Sequence, residues 1–237
     1  MGAKLPRRAK PESSRISSYL LRGWVHRAPL RYSTVAVVKD AGEGMLHVVY
    51  LERLPLNTSY VEVVDHVEGM ARDPRLASSS GSPPVLCVDQ TGVGAAVTNM
   101  LLECGLAFYA VTIIATGKAK AYAVEGGRVS VRVSKGELLE ALAAPLRAGR
   151  LKVALRLRWG PAFAEELSAF RRKQDARTAH VRFEHDRATD KDDLILGTAL
   201  ACWGPACNTL DDARRAASMS PIWSSLGRGP CEGFGFG

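Results

Sequence analysis

The chain has 237 residues, 46% of them hydrophobic and 24% charged, which is ample for one buried core and too few for two full domains. Lysine and arginine outnumber aspartate and glutamate 32 to 24, a formal net charge of +8 that calls for an anionic partner, nucleic acid first, although an arginine-favouring GC-rich genome gives the same excess. No run approaches the roughly 18 apolar residues of a membrane span. No apolar segment follows the basic start MGAKLPRRAKPESSR, and the five cysteines include no CxxC pair, so the expectation is a cytoplasmic protein with reduced thiols, no zinc site and no membrane contact.

Residues 1–17 read as a basic, flexible arm. YLLRGWV (19–25), STVAVV (33–38) and MLHVVYLERL (45–54) read as three strands, the last two separated by the turn residues DAGEG. Thr58 or Ser59 caps a helix through YVEVVDHVEGMA, where Val61, Val64 and Val67 recur at helical spacing. ASSSGSPP (77–84) is a loop and VLCVD (85–89) a short buried strand. After TGVG, AAVTNMLLECG is a helix stopped by Gly105, and LAFYAVTII (106–114) a further buried strand. Gly126 and Gly127 turn a hairpin within GKAKAYAVEGGRVSVRVS. KGELLEALAAPLRAGR and GPAFAEELSAFRRK are helices on either side of the strand LKVAL. HVRFEH (180–185) alternates as a strand does, and Asp190 can cap KDDLILGTALACW. From residue 204 to 237, Gly, Pro and Ser mix without a period, and the expectation is a poorly ordered tail. Three adjacent strands, then strand–helix–strand, give a mixed sheet with helices on its faces over residues 18–203.

In such a sheet, ligands gather beyond the carboxyl ends of the parallel strands. Asp89 stands at one such end, and Asp192 and Asp193 open the last helix, where the dipole favours a carboxylate. Acids so placed can share a hard divalent cation. Taken singly, Asp89 is equally a turn-closing residue and the Asp192–Asp193 pair a capping device. TGVG lacks GxxxxGK[ST], and no Walker A sequence occurs, so a nucleotide-binding role rests on TGVG alone.

Together these segments are more specific. LERLPLNTSYVEVVDHV, VLCVDQTGVGAAV, VTIIATGKAKAYAVEGGRVSVRVSKGELLEAL, LRAGRLKVA, AEELSAFRRK and KDDLILGTALACW resemble, in order and spacing, the nuclease domain of phage and prophage large terminase subunits. The resemblance implies a ribonuclease H-like fold and cleavage of double-stranded DNA during viral packaging with Mg²⁺ or Mn²⁺. It also implies partners: a separate packaging ATPase, a portal or a small terminase subunit. Asp89 matches the acid of the family's second motif, and Asp192 and Asp193 match its HDD motif, with Lys191 in place of His. Lys135 matches a lysine of its VPK stretch. The family's first strand ends in GxDxG; here GWVHRAPLRYST puts His26 where that acid stands. Histidine brings no negative charge and cannot readily bridge two hard cations. Two readings stay open: an endonuclease weakened at one ligand, or a catalytically inactive DNA-binding or assembly remnant. Lys118, Lys120, Lys135, Arg171 and Arg172, with Lys173 and the basic arm, are candidate phosphate contacts or simply solvated charges.

Overall fold

A computed structural model describes residues 16–20, 32–78, 81, 83–92, 94–175 and 192–206. Three strands, β1 (Ile16–Leu20), β2 (Thr34–Asp40) and β3 (Leu46–Arg53), form an antiparallel meander. Between β2 and β3 the chain reverses where the Asp40 carboxylate accepts from the Gly42 N–H at 2.9 Å. Next come β4 (Cys87–Asp89), β5 (Phe108–Ile114), β6 (Lys120–Glu125), β7 (Arg128–Ser134) and β8 (Leu151–Val153). β4, β5 and β7 run parallel to β1, while β6 pairs antiparallel with β7. Among the described residues these strands form one sheet, in the order β6-β7-β5-β4-β1-β2-β3-β8. Its centre, β3-β2-β1-β4-β5, antiparallel and then parallel, is a ribonuclease H-like arrangement within the mixed α/β class expected from the sequence.

Strand alternation assigns each residue to a face. Val35, Val88 and Ala110 meet α1 (Tyr60–Ala71) and α2 (Gly94–Glu103) through Val64, Val67, Val97 and Leu101. Ala36, Val38, Cys87, Val111 and Val131 meet the opposite layer, α3 (Lys135–Arg147), α4 (Gly160–Asp175) and α5 (Asp193–Ala206). Residues 193–204 of α5 are all buried, which is why that helix is apolar on every side rather than striped. It lies across β1, β2 and β3 and also touches α3.

The helix α1 is capped by Ser59 in a reciprocal capping box with Glu62. The hairpin turns at Gly126, whose φ of +53° suits glycine. β1 begins at Ile16, inside the stretch read as arm, and the strand expected over 19–25 is described only as far as Leu20. α5 continues to Ala206, three residues into the expected tail. The remainder of the arm and tail and the strand expected at 180–185 lie outside the described residues. Among the described residues, no helix is long and apolar enough to cross a membrane.

Candidate active site at the carboxyl edge

β1, β4, β5 and β7 end on one edge of the sheet, and β3 ends there too, being antiparallel to β2. Asp89 is the last residue of β4. Its side chain shares the α3–α5 face with Cys87, because Val88 between them points to the other layer. It is 4% exposed. Its Oδ1 accepts from the Thr91 N–H at 2.8 Å, so the turn-closing role is real and occupies that oxygen. The loop that carries it is tied to β5 residue by residue. Thr91 Oγ1 accepts from the Ile113 N–H at 2.9 Å, the Gln90 N–H donates to the Val111 carbonyl, and the Gln90 amide reaches Thr112 Oγ1 and Tyr122 Oη. A Cβ at Gly94 would sit 2.2 Å from the Asp89 carbonyl oxygen, so only glycine lets α2 start so close to the strand end.

Asp192 and Asp193 open α5. The Leu196 N–H donates to the Asp192 carbonyl at 2.9 Å, which makes Asp192 the capping residue and Asp193 the first residue of the helix. Asp193 is 2% exposed. Asp192 accepts from Lys135 Nζ at 3.1 Å. Lys135 follows β7 directly and starts α3, whose cap, Ser134, accepts from the Glu137 N–H at 3.2 Å. Glu137 in turn accepts from Trp203 Nε1 at 3.1 Å and from the Ala119 N–H at 2.9 Å, joining α3, α5 and the loop before β6.

On the other side of the α5 start, Glu166 of α4 accepts from the Ile195 N–H at 3.1 Å and forms a buried ion pair with Arg53, the last residue of β3. The Arg53 guanidinium lies 5.3 Å from the Tyr32 ring centroid and 5.6 Å from that of Trp159. Burial pushes the Glu166 carboxyl up to about 7, against the pull of Arg53 and the Ile195 N–H, and the charges of Asp193 and Asp192 add to the upward push. All three carboxylates therefore share one electrostatic neighbourhood. The α5 start is gripped by Lys135 from the β7 side and by Glu166–Arg53 from the β3 side. It thus lies over the strands between, where β4 ends in Asp89, and α5 touches β4.

Of the residues singled out from sequence, Asp89, Asp192, Asp193 and Lys135 therefore gather on one face at one edge. Lys135 is half-buried and ion-paired rather than an exposed helix-start lysine. Lys118 and Lys120 are exposed beside the hairpin, Arg171 and Arg172 fall on α4, and His26 lies outside the described residues. Arg53 and Glu166 were missed, for nothing in the local pattern of either signals the other 113 positions away.

Buried carboxylates are the hard oxygen donors that Mg²⁺ or Mn²⁺ takes. Among the described residues, however, no three histidine, cysteine, aspartate or glutamate side chains converge closely enough to hold a metal ion. The described donors do not by themselves make a complete metal site.

No family model matches the sequence, and no curated protein does. Among solved structures, the chain is similar to the human cytomegalovirus terminase nuclease domain, at 13% identity and a TM-score of 0.48, over 84% of this chain and 86% of that one. A likeness of that size says nothing about chemistry.

Proposed function

We propose that the chain is a DNA endonuclease module of viral terminase type, dependent on Mg²⁺ or Mn²⁺, with Asp89 and Asp193 as its essential acids. The observation that carries this reading is the placement of two buried carboxylates, one ending the fourth strand and one opening the last helix, on one face and one edge of a ribonuclease H-like sheet. The sequence resemblance points to Asp89 and to the Asp192–Asp193 pair, of which Asp193 is the more buried. The reaction is hydrolysis: water adds to phosphorus, a sugar oxygen leaves, and no side chain becomes bonded to DNA. On this reading the partners are double-stranded DNA and a packaging ATPase, portal or small subunit from other chains, and the setting is the cytoplasm of a bacterial host of a phage or prophage.

A second reading, an inactive DNA-binding or assembly module, is favoured by two observations. Lys135 neutralises Asp192, and the described residues lack a third ligand beside Asp89 and Asp193. Supercoiled plasmid incubated with the full chain and Mn²⁺ separates the two. Nicking by the parent that is lost in both Asp89→Asn and Asp193→Asn, with unchanged circular dichroism, supports the endonuclease. No nicking by the parent, with DNA binding retained, sinks it in favour of the silent module. Nicking that appears only in His26→Asp identifies a scaffold whose site has degenerated.

A further inference from the structure

The β6–β7 hairpin forms the outer edge of the sheet, and it carries a surface that the carboxylate site does not use. Lys120 and Arg132 are register partners on this antiparallel pair, so their side chains stand opposite each other on one face. Both are exposed. Like charges in that position repel, and among the described residues no carboxylate pairs with either. The opposition of like charges is itself unfavourable, and an anion lying between the two cations removes the repulsion.

The aromatic ring beside them is held in place before any ligand arrives. Tyr122 is the extra residue of a bulge, where the register passes from Ala121↔Val131 to Ala123↔Ser130, and bulges re-aim side chains. Its ring lies 4.7 Å from the Arg132 guanidinium, and its hydroxyl accepts from the Gln90 amide at 2.8 Å. Tyr122 nevertheless stays 47% exposed. Gln90 is the residue after Asp89, so the patch sits at the same carboxyl edge as the acids. It faces the opposite layer, because Arg132 is registered with Thr112, which alternates with Val111, the partner of Asp89.

We propose that Lys120, Arg132 and Tyr122 form a contact for the phosphate backbone of a polynucleotide, with a phosphate between the two cations and the sugar against the ring. The proposal rests on the endonuclease reading only for naming that polynucleotide as duplex DNA. Charge alone singles out Lys118 and Lys120, whereas Tyr122, Arg132 and the Gln90 tether come from the fold. Charge complementarity supports the occupant, since the whole chain carries a formal +8. Arginine, lysine and tyrosine side chains are usual contacts to the phosphates and sugars of a duplex, and such contacts position a protein without reading sequence.

The test is fluorescence anisotropy of a labelled short duplex with the full chain in EDTA, across a series of salt concentrations. Lys120→Gln and Arg132→Gln should each lower the slope of log affinity against log salt by about 0.9, and the double variant should weaken binding by roughly tenfold or more. Lys152→Gln, an exposed charge on β8 at the far edge of the sheet, is the control and should change affinity by less than about twofold. The proposal is overturned if the parent does not bind DNA, or if the hairpin variants leave the salt slope unchanged. It is also overturned if Lys152→Gln weakens binding as much, or if a heparin fragment is preferred over the duplex. Hairpin-dependent binding without nicking leaves this contact standing and removes the endonuclease reading, so the two can fail separately.

Discussion

Two clusters of charge lie at the carboxyl edge of this sheet, and they are built on opposite rules. At the start of α5, Asp193 is buried and Asp192 half-buried, and two pairs of opposite charge flank them: Lys135 pairs with Asp192, and Arg53 pairs with Glu166. On the β6–β7 hairpin, Lys120 and Arg132 are exposed, of one sign, and set side by side. Burial explains the contrast. A charge removed from water needs a partner, because its desolvation is otherwise uncompensated. A charge left in water tolerates a like neighbour at a cost of tenths of a kilocalorie. The buried cluster is therefore read as architecture that positions acids, and the exposed one as a surface that waits for a counterion.

The buried cluster can be broken most severely at Arg53. Arg53→Met leaves the Glu166 carboxylate buried without its guanidinium, a change that costs about 3–5 kcal/mol in such pairs. The lower end, about 3 kcal/mol, is expected here, because Glu166 already titrates near 7 and can take up a proton once Arg53 is gone. Urea unfolding followed by circular dichroism measures it, and the double variant Arg53→Met/Glu166→Leu should recover most of the loss. A single-variant cost below about 1 kcal/mol would show that the pair is not a structural clamp.

The same carboxyl gives the buried cluster a pH signature. Its folded pKa of about 7 lies above the ordinary 4.5, so the folded state binds the proton more tightly. The stability from this group is therefore fully present below about pH 4.5 and is lost as pH rises through about 7, by at most about 3 kcal/mol. Unfolding free energies measured across that window should fall with rising pH, and Glu166→Gln should flatten the slope. An unchanged slope in the variant assigns the dependence to another group.

How much of this was legible before the fold was known follows from the range of each signal. Short-range signals carried well. The apolar run VLCVD marks a strand that ends on Asp89, the Gly126–Gly127 pair marks a hairpin, and Thr58 or Ser59 marks a helix start; all three formed, with Ser59 as the cap. Asp89, Asp192 and Asp193 were recognisable because each sits at an element boundary that local pattern defines. Glu166 and Arg53 were not, since each reads alone as an ordinary solvated charge and only the packing of α4 against α5 and β3 buries them together. Lys135 looked exposed for the same reason, for its partner is 57 positions away. The opposition of Lys120 and Arg132 was also hidden, because it depends on hairpin register and on a bulge at Tyr122.

Gly94 links the acid to the backbone beneath it, and its substitution is expected to be less costly than loss of Arg53. In Gly94→Ala the new methyl would lie 2.2 Å from the Asp89 carbonyl oxygen, which is backbone and cannot rotate away. Either α2 shifts along its axis or the strand end moves, at about 1–3 kcal/mol for such overpacking. Movement of the strand end also moves Asp89, so plasmid nicking should fall by more than the stability loss accounts for. Nicking at the parental rate in a stably folded Gly94→Ala protein would show that Asp89 does not need this placement.

The smallest effect is the sharpest, because its sign is opposite to that of Arg53→Met. Lys120→Gln removes one member of a like-charged cross-strand pair, so stability should rise, by about 0.2–0.5 kcal/mol. The rise should shrink as salt is added, since both side chains are exposed and screened within about 10 Å at 0.1 M. DNA affinity should fall in the same variant. A substitution that stabilises the fold while weakening binding is what a surface kept for a ligand predicts, and paired denaturation and anisotropy measurements on one preparation test both halves. If Lys120→Gln lowers stability instead, its aliphatic stem supports the hairpin, and the juxtaposition with Arg132 is a packing feature rather than a mark of a bound anion.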